Sequence, residues 1–212
     1  MPAFANLRVA DHPLVQHKVA KLRAKDTPPR DFKALTNEIA AMLAYEATKD
    51  LPLESITIET PLETMKAMHI DGKKLALVPI LRAGLGMVDG ITQMVPNARV
   101  GHIGLYRDHD TLEPVDYYFK LPGAEPGTTF FVLDPMLATG GSAVHAVTAI
   151  KKAGATRIRF LCLVAAPEGV RRMLQDHPDV PVYAAALDRE LNDKGYILPG
   201  LGDAGDRLFG TF

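Results

Sequence analysis

The chain has 212 residues, 47% of them hydrophobic and 23% charged, with 24 Lys and Arg against 25 Asp and Glu. Those values fit one globular domain with a substantial core and exclude disordered, collagenous and coiled-coil chains. A formal net charge of −1 excludes a global basic field, so an anionic ligand needs a local site, and neither nucleic acid nor membrane is expected as a partner.

The N-terminal MPAFANLRVADHP has no basic segment followed by an apolar run, so no signal peptide is expected. After Asp11 and Pro13, Val15, Val19 and Leu22 recur at helical spacing. Lys18, Lys21, Arg23 and Lys25 then read as a solvated face, with an anion-binding face as the alternative. Thr27 and Pro28 read as the cap and first turn of a second helix, striped by Phe32, Leu35, Ile39, Met42 and Leu43. From residue 53 the period changes: LESITIET alternates and reads as a strand. KLALVPIL (74–81) is almost continuously apolar, as in a strand covered on both faces.

Gly84 and Gly86 interrupt that run, and Val88, Ile91 and Val95 mark a helix. RVGHIGLYR (99–107) reads as a strand and the polar 108–116, with Pro114, as an exposed loop. TTFFVLD (128–134) is a strand, PMLATGG a loop, and Ala143, Val147 and Ile150 a helix stripe. Residues 157–166 read as a strand, 168–176 as a short helix and 180–188 as a strand. This alternation implies an α/β fold with a parallel sheet, whose ligands bind at the carboxyl ends of the strands. The last stretch, from Asp188, holds five glycines and reads as a non-helical flap. The single cysteine, Cys162, reads as a buried thiol in a reducing compartment. The longest stretch without Asp, Glu, Lys or Arg, residues 135–150, is short for a membrane span, and a cytoplasmic protein is expected.

The strongest local feature is Asp134-Pro135-Met136-Leu137-Ala138-Thr139-Gly140-Gly141-Ser142. A strand ends in an acid, and a glycine-bearing loop with two hydroxyl residues opens a helix. Glycines let successive amides converge, and the helix N-terminus adds partial positive charge, which suits a phosphate monoester. An ordinary strand-to-helix turn is the alternative. Asp134 would repel phosphate, so it has to face sugar hydroxyls or a metal. The G-x-G-x-x-G at Gly200, Gly202 and Gly205 is a decoy: seven residues follow it, too few for a dinucleotide-binding helix and strand. Arg82, just past a buried strand, suits a second phosphate through its bidentate fork, or else a surface ion pair. Arg107 opens the polar loop, which reads either as a cover for an anionic substrate or as an exposed hairpin. Asp108, His109 and Asp110 read as a solvated loop rather than a metal site.

DPMLATGGS, RAGLG (82–86), LYRD with TLEPV (105–115) and the terminal YILPGLGDAGDRLFGT together resemble the uracil phosphoribosyltransferases, in the same order and across residues 5–212. The resemblance implies the type I phosphoribosyltransferase fold, a parallel sheet with helices on both faces and a C-terminal hood. It divides a single domain into N-terminal helices (1–50), an α/β core (53–188) and a uracil-binding flap (189–212). It implies transfer of ribose-5-phosphate from phosphoribosyl diphosphate to uracil, giving uridine monophosphate and diphosphate in pyrimidine salvage, with Mg²⁺. Residues 134–142 would then hold the 5-phosphate, with Asp134 facing the ribose. Arg82, Arg107 and the metal would surround the diphosphate. Ile197 and Gly202–Ala204 would present backbone groups to uracil. Asp203 would stand beside the reacting ribose and, with Arg107, act in catalysis. Many related loops carry two adjacent acids; Pro135 follows Asp134 here, so Mg²⁺ is expected to be held mainly by the diphosphate. The resemblance also implies a homodimer or larger assembly; some relatives are activated by GTP, and the sequence does not settle whether this chain is. An RNA-binding pyrimidine regulator of the same fold is the rival from another class, and a purine or orotate phosphoribosyltransferase the rival within the enzymes.

Overall fold

A computed structural model describes residues 4–70, 74–107 and 114–211, with the side chains of 107 and 114–116 outside the description. Strand β1 (Leu7–Val9) precedes helices α1 (Pro13–Arg23) and α2 (Pro29–Ala47). A hairpin follows, β2 (Glu54–Glu59) and β3 (Thr64–His69), and then β4 (Leu75–Leu81). A 3₁₀ turn (Ala83–Met87) leads into α3 (Val88–Met94), β5 (Arg99–Val100), β6 (His102–Arg107) and β7 (Pro114–Lys120). The second half runs β8 (Thr129–Leu133), β9 (Met136–Leu137), α4 (Gly141–Lys152), β10 (Arg157–Ala165), α5 (Pro167–Asp176) and β11 (Val182–Leu187). It ends in β12 (Glu190–Leu191), β13 (Ile197–Leu198) and α6 (Ala204–Phe209).

The main sheet has the order β1-β11-β10-β8-β4-β6-β7, with β5 paired to β4 and β9 to β10. All of these pairs are parallel except β6 with β7. Its central strands β4, β8 and β10 read as apolar runs because both faces are covered. Along β8, Phe131 and Leu133 join a core with α1 and α2, while Phe130 and Val132 join a second core with α4 and α5. Cys162 is buried in that second core, and burial pushes its thiol up. Ile197, Leu201, Ala204 and Leu208 of the flap complete the first core, against α1 and α2.

The topology places the site. From β4 the chain crosses to β6 on one side; from β8 it crosses through α4 to β10 on the other. Adjacent β4 and β8 therefore form the switch point, where the loops diverge and leave a crevice at the carboxyl ends. The Arg82 loop and the 134–142 loop are the two that follow these strands.

Several sequence expectations are corrected. Residues 114–116 belong to a strand antiparallel to β6 rather than to the expected loop, and 108–113, with Asp108, His109 and Asp110, lie outside the described residues. The last residues do form a helix, α6: Asp203 Oδ1 caps it by accepting from Asp206 N–H at 3.0 Å, and Gly210 ends it at φ +67°. Pro28, not Thr27, is the N-cap of α2; the Thr27 hydroxyl donates backwards to the Lys21 carbonyl at 2.6 Å. LESITIET is one half of an antiparallel hairpin standing off the main sheet. Within the phosphate-loop motif, Met136 and Leu137 are strand rather than loop, paired to Val164 and Ala165.

Candidate functional site

The 134–142 segment is held rigidly from below. The Pro135 carbonyl accepts from Leu163 and Val164 N–H at 3.0 and 3.1 Å, and the Leu137 carbonyl accepts from Ala166 N–H at 2.9 Å. α5 also packs close beneath: a Cβ on Gly169 would sit 2.5 Å from the Ala138 carbonyl oxygen. With these carbonyls turned down into β10 and α5, the exposed side of the loop is left to Ala138–Ser142 and the start of α4. Gly140 is the N-cap of α4, at φ +80°. The Thr139 hydroxyl oxygen accepts from Gly141 N–H at 3.4 Å, so its proton is available to a ligand. Four amides at a helix start lack intrahelical partners, so this rim can receive an anion.

Asp134 directly follows β8 and opens the same loop. Its Oδ1 accepts from Met136 N–H at 3.2 Å. Burial pushes its carboxyl up to about 7; the Met136 hydrogen bond opposes this, and the nearby Asp203 carboxylate adds to it. Two acids 69 positions apart in sequence are thus brought into one electrostatic environment. That environment favours a cation or hydroxyl donors over a bare anion.

The Arg82 loop supplies the other wall. A Cβ on Gly84 would lie 2.3 Å from the Leu133 carbonyl oxygen, so glycine lets this turn pack onto the end of β8. The Arg82 side chain is 60% exposed; its Nη2 is 3.9 Å from Asp206 Oδ1 and its guanidinium 5.9 Å from the Phe209 ring centroid. The sequence left Arg82 between phosphate binding and a surface ion pair. The structure shows the exposed ion pair, long and with Asp206 as its partner. Arg107 ends β6, two strands from β8.

The flap closes over both loops. Gly195 stands so that its Cβ would contact Thr139 Cγ2 at 3.8 Å, and one on Gly86 would meet Leu208 Cδ1 at 2.7 Å. Gly205 packs over Ala83, with Asp203 Oδ1 close by. Ile197 and Ala204 are buried, and Gly202 has φ +81°. The Arg82 turn, the 134–142 loop and the flap therefore meet beyond the carboxyl ends of β4 and β8, while Ile197 packs into the first core. Sequence reasoning missed Arg23: it is not on a solvated face but pairs with the buried Asp188 at 2.5 Å. No sequence signal links residues so far apart. Among the described residues no cluster of three or more His, Cys, Asp or Glu is poised to hold a metal. The donor set near the rim, Asp134 and Asp203, suits a divalent ion whose remaining ligands come from a bound polyphosphate.

The family model for uracil phosphoribosyltransferase matches residues 9–211. A protein of that name from Anoxybacillus flavithermus is 61% identical over 98% of this chain and 100% of its own length. One from Bacillus cytotoxicus is 60% identical over the same shares. A solved structure of a protein from Aquifex aeolicus is 40% identical with a TM-score of 0.92, covering 97% of this chain and 98% of its own. A hypoxanthine-guanine phosphoribosyltransferase from Bacillus anthracis is 11% identical with a TM-score of 0.52, over 76% and 80% of the two chains, a likeness of fold alone.

Proposed function

We propose a reading of the crevice from one premise: the chain belongs to the uracil phosphoribosyltransferase family, which its match over residues 9–211 carries. It is a pentosyltransferase that moves ribose-5-phosphate from 5-phospho-α-D-ribose 1-diphosphate to uracil, giving uridine monophosphate and diphosphate. None of these observations favours the RNA-binding alternative.

Placement supports the following residue roles. The 5-phosphate takes the amide rim at Ala138–Ser142, helped by the Thr139 and Ser142 hydroxyls; Pro135–Leu137 fix that rim to β10. Asp134 accepts from the ribose hydroxyls. The Arg82 fork turns from Asp206 to the diphosphate; Arg107, at the end of β6, is given the same role by the resemblance. Uracil lies under the flap against backbone groups of Ile197 and Gly202–Ala204.

In the reaction the bond from the anomeric carbon to the diphosphate oxygen breaks and a bond to uracil N1 forms, with loss of the N1 proton. An oxocarbenium-like sugar lies between, by analogy with glycoside chemistry. The flap holds the nucleophile in line and the phosphate rim holds the sugar, which removes the orientational entropy of a two-substrate encounter. The arginines stabilise charge developing on the leaving diphosphate. The Asp203 carboxylate faces the positive charge developing on the sugar. Mg²⁺, when bound with the diphosphate, supplies further neutralisation of the leaving group, with Asp134 and Asp203 the acids at hand.

Two variants test these roles. Gly140→Val places a β-branched residue at φ +80°, with its Cβ 3.1 Å from the Gly169 carbonyl oxygen. The left-handed backbone alone costs about 1–2 kcal/mol. The expected result is a larger rise in the Michaelis constant for phosphoribosyl diphosphate than for uracil; equal rises would remove the loop from phosphate binding. Asp203→Asn keeps the cap of α6, because an amide oxygen also accepts from Asp206 N–H. Turnover and kcat/KM are expected to fall together while uracil affinity stays. A lost affinity at unchanged turnover would make Asp203 a binding residue instead.

No helix among the described residues is long and apolar enough to cross a membrane, and phosphorylated substrates suit a cytoplasmic setting. A homodimer is supported by the exposed apolar residues of the β2–β3 hairpin, among them Met65 and Met68, with Leu62 at its turn. Light scattering in dilute solution checks this, and a mass of one chain refutes it. Activation by GTP, known in some relatives, is checked by adding the nucleotide to the synthetic assay.

A further inference from the structure

The turn between the two uracil contacts, from Ile197 to Gly202, is gripped from two sides. Arg23, the last residue of α1, donates through Nη2 to Asp188 Oδ1 at 2.5 Å and through Nη1 to Asp188 Oδ2 at 2.8 Å. The same Nη1 donates to the Gly200 carbonyl at 2.6 Å. Asp188 Oδ2 in turn accepts from Gly200 N–H at 2.9 Å. Both backbone groups of Gly200 are therefore fixed to one ion pair whose acid is 7% exposed. From the other side Arg207, on α6, donates to the Leu201 carbonyl at 2.8 Å and to the Ala24 carbonyl at 2.6 Å. Its guanidinium lies 4.4 Å from the Phe32 ring centroid. Two consecutive flap residues are thus tied to the end of α1 by two arginine forks.

A buried ion pair is weak evidence for stability, since desolvation offsets most of its attraction. What these forks supply is direction. An arginine donating to a carbonyl fixes the peptide plane, and with it the direction of the next N–H. Gly200 has φ +62°, and a Cβ there would be 2.1 Å from the Ile197 carbonyl oxygen, so the turn brings the chain back onto Ile197. Its two ends are the two segments assigned to the base in the proposed function.

We propose that Arg23, Asp188 and Arg207 are positioning residues that set the polarity of the base-recognition segment without touching the base. They consume the N–H and C=O of Gly200 and the C=O of Leu201, and so fix which backbone groups of Gly202–Ala204 face the ring. The inference rests on the reading that Ile197 and Gly202–Ala204 receive uracil. It predicts an effect on the base and not on the phosphate substrate, although Arg23 lies on a helix outside both phosphate loops.

The test compares Arg23→Gln and Arg23→Lys with the wild type in steady-state kinetics. Arg23→Gln is expected to raise the Michaelis constant for uracil by about tenfold to a hundredfold, the scale of a small misplacement. The constant for phosphoribosyl diphosphate should move less than about threefold on the same scale of argument. Preference for uracil over cytosine should narrow. Arg23→Lys keeps the charge but not the fork and should restore only part. A purely structural role would lower the melting temperature and leave both Michaelis constants and the base preference unmoved. Where Arg23→Gln does not fold, Asp188→Asn carries the test with the same sign, keeping an acceptor for Gly200 N–H. Amide hydrogen exchange separates the two readings. In the wild type, uridine monophosphate should protect the amides of 202–204; if it does not, the flap reading fails. If it does, and neither variant alters the uracil constant or the base preference, the clamp is overturned.

Discussion

Asp134→Asn is expected to stabilise the free protein at pH 8 while removing most of its turnover. The carboxyl is carried from 3.8 to about 7, chiefly by burial, with the Asp203 carboxylate adding to it. The unfolded chain releases this proton near 4, but the folded chain holds it until about 7. Between those values the native state binds more protons, so stability falls as pH rises and levels off above 7. At 1.36 kcal/mol per pH unit the cost reaches at most ~4 kcal/mol, an upper bound because the residue keeps some solvent access. Asparagine carries no ionisation cost and can still accept from Met136 N–H. The variant and wild type should therefore melt alike at pH 4, and the variant should melt higher at pH 8 by up to about 10 °C for a chain of this size. An equal gap at both pH values would show that the carboxyl is not strained by its surroundings. The accompanying loss of turnover would place Asp134 among the residues whose function costs stability.

The fold was legible where physics is local or two-sided. Strands 75–81, 129–133 and 157–165 announce themselves as apolar runs because helices cover both faces of the sheet. The loop at 134–142 was legible because glycine, hydroxyl and acid stand together at a strand-to-helix junction. What was missed depends on distant partners or weak periodicity. β3, TMKAMH, is mostly exposed, so burial imposes no clean alternation on it. α6 has six residues, too few for a periodic signal, although its cap at Asp203 and its terminal Gly210 were readable. Five glycines argued the other way, and burial of Ala204 and Leu208 against the core prevailed. Arg23 looked like its solvated neighbours because its partners, Asp188 and Gly200, come 165 and 177 residues later. The proximity of Asp134 and Asp203 has the same origin: it exists only once the flap folds back over the switch point.

Base choice gives the largest expected effect in kinetics: the specificity constant for uracil should exceed that for cytosine by at least about thirtyfold. Uracil presents a carbonyl acceptor and a ring N–H donor side by side. Cytosine reverses both, with an amino donor and a bare ring nitrogen. A side chain such as Asn can flip its amide to suit either base, but a backbone N–H cannot become an acceptor. The pocket proposed here is backbone at Ile197 and Gly202, with the intervening Gly200 fixed in direction at both its N–H and its C=O. Cytosine would leave two buried groups facing like partners. At about 1–3 kcal/mol for each unsatisfied group the penalty is roughly 2–6 kcal/mol. That corresponds to about thirtyfold at the lower end and over ten thousandfold at the upper. Uracils with a small halogen at the five position keep the same hydrogen-bonding edge and should remain substrates. The measurement is the ratio of kcat/KM for uracil and cytosine at saturating phosphoribosyl diphosphate. A ratio near one would mean that side chains able to reorient, or water, read the base in place of the flap backbone.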